Sequence, residues 1–191
     1  MILEGIVTTT NEDGSTNISP MGPAVDDESF TSFLLRPFTT STTYKNLKRF
    51  GHGVLHVTDD VNLMARAAVG RIHPEPAMLA GVPSHRRVLA NCCHWFAFDV
   101  SKLDGTNDRT EISCQVVETG RVRDFFGFNR AKHAVLEAAI LATRLHLLPD
   151  DDVRKKLADL QVMVAKTAGR SEEEAFDFLM SYVESHRKQR A

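Results

Sequence analysis

The chain has 191 residues, 42% of them hydrophobic and 25% charged, an ordinary composition for a globular protein with material for one domain or one plus an appendage. Its 23 Lys and Arg against 25 Asp and Glu leave a net charge of −2, so no overall field favours nucleic acid or an anionic membrane, and neither is expected as a partner. Cys92, Cys93 and Cys114 are an odd set with no disulfide framework, no run is long and apolar enough to span a bilayer, and MILEGIVTTT lacks the regions of a secretory signal. A cytoplasmic protein is expected. Cys92 and Cys93, adjacent in a strand-like run, would face opposite ways, so no metal site is expected.

In chain order, Ile2 to Thr10 reads as a strand, Asn11 to Ser15 as a turn carrying Asp13-Gly14, and Thr16 to Pro20 as the returning strand of a hairpin. Pro20 and Pro23 remove backbone donors, which places this strand at an edge or a bulged rim. Such a rim leaves backbone groups free for the edge of a planar heterocycle, with Asn17 and Ser19 beside it; a plain proline-rich turn fits the same residues. Ser32 to Leu35 is a short strand leading into Arg36-Pro37. Ser41, Thr42 and Thr43 then precede a short helix with Leu47 and Phe50 on one face and Gly51 as its stop. Free N–H groups at that helix start, the positive end of its dipole and nearby Arg36 suit a dianionic phosphate. The same residues also suit a simple N-cap beside a solvated arginine.

Gly53 to Thr58 is a further strand, and Asp59-Asp60 caps a helix from Val61 to Val69. Gly70 to Pro83 is a loop or lid. Arg86 to Val100 and Arg109 to Thr119 form a second hairpin through Asp104 to Asp108, with His94 in its first strand. From Asn129 the period is helical, giving helices over Asn129 to Leu148, Asp150 to Ala168 and Ser171 to about Arg187, the last opened by a Ser171/Glu174 capping box. Apolar and small residues cover most of the first of these helices, so it is expected to be buried nearly all round. Arg130, His133, Glu137 and Arg144 nevertheless share one narrow sector. That sector is either a solvent face or a seam facing a pocket or a second subunit, and the apolar circumference favours the seam.

The segments EGIVTTTNEDGSTNISPMGP, RPFTTSTTYKNL and GFNRAKHAVLEAAILATRLHLL, in this order, resemble the FMN-binding split-barrel flavoproteins of the flavin reductase type. More narrowly they look like a family of unknown function from archaea and planctomycetes with a helical C-terminal part. The resemblance implies an α+β fold: an antiparallel, Greek-key-type split β-barrel over 1–128, followed by a helical subdomain over 129–191 packed on it. It implies a homodimer holding FMN near the subunit interface. Carried onto this chain, Asn17, Ser19, Pro20 and Met21 would line the isoalloxazine, and Arg36, Ser41, Thr42, Thr43 and Asn46 would hold the phosphate and ribityl chain. One departure is His56, where related flavin reductases often carry Asn.

Two function classes follow. In the first, the protein is an FMN-dependent oxidoreductase moving electrons or hydride between a nicotinamide or protein donor and a small planar acceptor such as a pterin. In the second it binds or carries a flavin without turnover, or uses another cofactor such as a deazaflavin. His94, His133 and Glu137 are the candidate acid–base residues.

Overall fold

A computed structural model describes residues 1–26, 29–81 and 86–188, and the period-two segments form one antiparallel sheet. Its strands are Gly5–Thr10 (β1), Thr16–Met21 (β2), Ser32–Leu35 (β3), His52–Val57 (β4), His94–Asp104 (β5) and Glu111–Arg121 (β6), in the order β2-β1-β4-β5-β6-β3. Beyond the two ends, Ala24 bridges Ile2 on one side and Leu34 on the other, and this single residue closes the sheet into a split barrel. As the prolines require, β2 is a sheet edge: Pro20 pairs with Ile6 of β1 and needs no donor toward the open side.

Alternation then sorts the side chains. Val7, Phe33, Leu35, Leu55, Phe98 and Ile112 point inward and are buried, with Phe33 edge-on to Phe98 at 5.1 Å. Each such burial contributes roughly 1.5–3 kcal/mol. The helix Thr42–Phe50 (α1) adds Tyr44 and Leu47 to this core. Phe50, expected on the same face, is exposed beside His52, and Gly51 ends the helix directly after it in the left-handed region (φ 71°). Gly105 lets the hairpin between β5 and β6 close on α1, since a Cβ there would sit 2.3 Å from the Tyr44 hydroxyl.

On the other face of the sheet, Ile6, His56 and Trp95 stand in register across β1, β4 and β5. The stretch expected as strand from Arg86 covers this face instead. Val88, Leu89 and Cys92 are buried, but the Leu89 N–H goes to the His56 ring and not to a neighbouring strand, so regular pairing starts only at His94. Cys92 and Cys93 are both buried and lie outside the strand.

The chain divides into two units, Met1–Thr58 with Pro76–Phe125, and Asp59–Glu75 with Phe126–Ala191. The second holds Val61–Ala68 (α2), Arg130–Thr143 (α3), Asp150–Thr167 (α4) and Arg170–Lys188 (α5). Residues 59–75, grouped with the barrel on sequence alone, thus belong to the helical unit: Val61 and Ala65 share one core with Ala134, Ala138, Leu157 and Leu179. α5 starts one residue ahead of Ser171, and the returning bond of its capping motif comes from Glu172, whose carboxylate accepts the Gly169 N–H at 2.9 Å. Glu174 instead pairs with Arg170 at 2.7 Å.

Candidate cofactor site at the start of helix α1

The edge strand β2 and the first turn of α1 meet through a compact set of polar side chains. Asn17 Nδ2 donates to Thr9 Oγ1 of β1 and to Thr43 Oγ1 of α1, both at 3.1 Å. Asn46 Nδ2, one turn further along α1, donates to the same Thr9 Oγ1 at 3.0 Å and to Asn11 Oδ1 at 2.8 Å. Thr9, Thr43 and Asn46 are buried, so each of these bonds replaces a water contact that folding removed. Both Asn46 amide hydrogens are thereby committed inside the protein. Asn46, assigned to the cofactor by resemblance, ties α1 to Thr9 at the end of β1 and to Asn11 in the turn after it, two residues the sequence reading does not single out. Their signal was the run Thr8-Thr9-Thr10-Asn11 at the end of an otherwise apolar strand, with Thr9 at an inward position.

With α1 fixed in this way, its N-terminus is left open. Ser41 is the N-cap, its hydroxyl accepting the Tyr44 N–H at 3.2 Å, and its own N–H donates to Phe38 O at 3.0 Å. The Thr42 and Thr43 N–H groups lie in the turn where a helix has no carbonyl to offer them, and Thr42 is exposed. The plain cap is present, Ser41 capping the Tyr44 donor, and it leaves the Thr42 and Thr43 N–H groups without an intrahelical acceptor at the positive end of the dipole. Arg36, just past β3, is half exposed and paired with Glu111 of β6 at 3.1 Å. Such a surface pair is worth at most about 1 kcal/mol, so the guanidinium can be redirected to an anion.

Along β2, the register puts Asn17, Ser19 and Met21 opposite Thr9, Val7 and Gly5, on the inward side, and Ile18 and Pro20 on the other. All six β2 residues are partly accessible, as befits an edge. The arrangement can take an elongated ligand with an anionic end at α1 and a flat end along β2. That matches the donor set a flavin mononucleotide needs: N–H groups and hydroxyls for phosphate, an accessible strand edge for the ring.

The other candidates are dispersed. His94 is exposed at the start of β5 in the barrel unit. Arg130, His133, Glu137 and Arg144 lie exposed on one side of α3, while Ala131, Ala134, Val135, Ala138 and Leu141 are buried on the other. His56, at the departure from the flavin reductase pattern, is fully buried and pinned between Ile6 O and the Leu89 N–H. It is a packing residue of the outer face. No group of three or more His, Cys, Asp or Glu among the described residues could hold a metal ion, and no described helix is long and apolar enough to cross a membrane.

A family of unknown function, DUF447, matches in two parts, its N-terminal domain over residues 3–123 and its remainder over 129–181. The chain belongs to this family. Among solved structures, an FMN-bound DUF447 protein from Methanosarcina mazei is similar at a TM-score of 0.80 and 23% identity, covering 95% of this chain and 94% of that one. A flavin reductase domain protein from Arthrobacter is similar at 0.55 and 16%, covering 64% of this chain and 79% of its own. The flavin reductase of a styrene monooxygenase from Pseudomonas putida is similar at 0.51 and 12%, covering 63% and 81%. These likenesses show the split-barrel fold of the flavin reductase type, and for the DUF447 relative they extend through the C-terminal helices. No functionally curated protein matches.

Proposed function

We propose that this protein binds FMN, with the phosphate at the first turn of α1 and the isoalloxazine along β2. The observation that carries this reading is the start of α1, where the Thr42 and Thr43 N–H groups have no intrahelical carbonyl and where the Asn17–Thr43 bond ties the helix to β2. The FMN in the Methanosarcina relative, which shares nearly the full length of this fold, supports the same cofactor. In this reading Ser41 and Thr42 supply hydroxyls, Arg36 turns from Glu111 to the phosphate, and Ser19 and Met21 border the ring.

The function that follows is an FMN-dependent oxidoreductase taking electrons from a nicotinamide or a protein donor and passing them to a small planar acceptor, for which a pterin is our candidate. When bound, FMN supplies the redox chemistry; the chain supplies orientation, a phosphate anchor and access. The edge position of β2 leaves one side of the ring uncovered, and a second copy of the chain is the simplest cover, so the working form is a homodimer, located in the cytoplasm.

The test is spectroscopic. The purified protein titrated with FMN should show a shifted flavin spectrum and one cofactor per chain, and NADH, NADPH or a reduced ferredoxin should bleach it within minutes. A flavin that binds but stays oxidised with all three donors would make this a flavin carrier. A protein that takes up a deazaflavin and not FMN would move the same site to that cofactor.

A further inference from the structure

At one end of the barrel the inward face of the sheet stops being a core. Along β5, Phe98 is fully buried, Phe96 half-buried and His94 exposed. Along β6, their register partners Val116, Thr119 and Arg121 follow the same course, Val116 packing against the core and the other two exposed. Partners across an antiparallel pair share a face, so His94, Thr119 and Arg121 surround the Phe96 ring on a side that alternation would normally bury. The opposite face at the same level is covered, with Trp95 buried and Gly120 beneath its indole. The result is an aromatic floor with His94 and Arg121 at its border, the Arg121 guanidinium paired at the surface with Asp124.

Phe30 lies on that floor. Its ring is nearly parallel to that of Phe96, 18° between planes and 4.5 Å between centroids, and His94 meets Phe96 edge-on at 6.4 Å. Phe30 reaches this position with φ at 54°, the one non-glycine residue in the left-handed region among those described. For a bulky side chain that backbone is costly and persists only where its neighbours hold it. They do so here: Thr31 O accepts both the Val116 N–H at 2.9 Å and Gln115 Nε2 at 2.8 Å, which fixes the next residue to β6. Parallel stacking at this separation is how a flat aromatic ligand would sit on Phe96. Met21, which ends β2, packs against the same inner core as Phe30 and Phe96.

We propose that the Phe96 face is a second binding subsite, taking a planar aromatic or heteroaromatic ring that carries an anionic group, and that Phe30 occupies it until such a ring enters. The ring replaces Phe30 on Phe96, Arg121 turns from its exposed partner Asp124 to the anionic group, and the residue at 30 leaves its strained backbone. This rests on the FMN reading only for its purpose, since Met21 would put the second ring at the same end of the barrel as the flat part of the flavin; the subsite itself stands on Phe30, Phe96 and Arg121.

Equilibrium dialysis of the full chain, saturated with FMN and separately without it, tests this with 2-naphthoate as a planar anion, 2-naphthol as its uncharged counterpart and cyclohexanecarboxylate as a non-planar one. The expected order is naphthoate tightest and cyclohexanecarboxylate unbound. Phe96→Leu should weaken naphthoate about tenfold, Arg121→Gln should bring naphthoate and naphthol together, and Phe30→Gly, which removes both the competing ring and the strain, should tighten naphthoate severalfold. FMN affinity, measured in parallel, should be the same in all three variants. Naphthoate binding unchanged in Phe30→Gly, a variant that relieves the backbone and so keeps the fold, would overturn the proposal, as would equal retention of cyclohexanecarboxylate. Loss of FMN binding with the naphthoate order intact would instead remove the FMN reading and leave the subsite.

Discussion

The Leu89 N–H donates to His56 Nε2 at 3.0 Å, which obliges the other ring nitrogen to carry the proton and donate to Ile6 O at 3.1 Å. One imidazole thus clamps the covering segment to the outer face of the barrel. Burial pushes the His56 pKa down to about 4, against the opposing pull of the bond to Ile6.

The pH dependence follows. The unfolded chain protonates this histidine near pH 6.5 while the folded protein resists until about pH 4. Above pH 6.5 both forms are neutral and the stability is intact; between pH 6.5 and 4 the unfolded state alone gains protons. Stability should therefore fall by about 3 kcal/mol across that window from this residue. Urea unfolding at pH 7 and pH 4.5 measures it, and in His56→Leu the difference between the two should shrink by most of that amount.

At the α1 N-terminus, a charge-assisted bond from Arg36 to phosphate contributes typically about 1.5–3 kcal/mol. Arg36→Ala should accordingly weaken FMN about 10- to 100-fold and leave riboflavin unchanged. Titration with both flavins checks this. Equal affinities for FMN and riboflavin in the parent protein would take the phosphate away from α1.

Asn46 is a positioning residue in this account. Asn46→Leu leaves the buried Thr9 hydroxyl without one donor and frees the start of α1, at a cost of about 1–3 kcal/mol in stability. FMN should weaken along with it, whereas Asn46→Asp at low pH should recover part of both. A variant that loses FMN with its thermal stability intact would put Asn46 on the cofactor itself.

In the helical unit, Lys132 Nζ meets the buried Asp59 carboxylate at 2.8 Å, and the same carboxylate accepts the Phe126 N–H at 3.2 Å. Lys132→Met takes this cation from the carboxylate and should lower stability by up to about 3–5 kcal/mol; removing both charges with Asp59→Asn added should recover much of it. Chemical denaturation of the single and double variants reads the difference.

The assembly is open to a mass measurement. Light scattering at micromolar concentration should give twice the chain mass, and charge reversal at Arg130 and Glu137, exposed on the otherwise buried α3, should shift the population toward monomer. A monomer that holds FMN stoichiometrically would return those residues to the role of a solvent face.

Local signals in the sequence determined the elements themselves. Ser41 and Gly51 delimit α1 because a hydroxyl cap and a left-handed C-cap act over one turn, and Pro20 places β2 at an edge because a missing donor is a property of a single residue. Asn129 opens α3 for the same reason, accepting the Ala131 and Lys132 N–H groups. What only the tertiary structure decided are relations between residues far apart in the chain. Alternation cannot say that Asn46 spends its amide on Thr9 and Asn11, 37 and 35 residues away, or that α2 joins the helical core. The apolar run Val88–Cys93 has strand composition, yet it makes only an isolated bridge from Leu89 to Met78, and the Leu89 N–H goes to a histidine ring in place of a carbonyl. Composition reports what a segment can bury, while the partner of each backbone donor depends on which side chain the fold has brought opposite it.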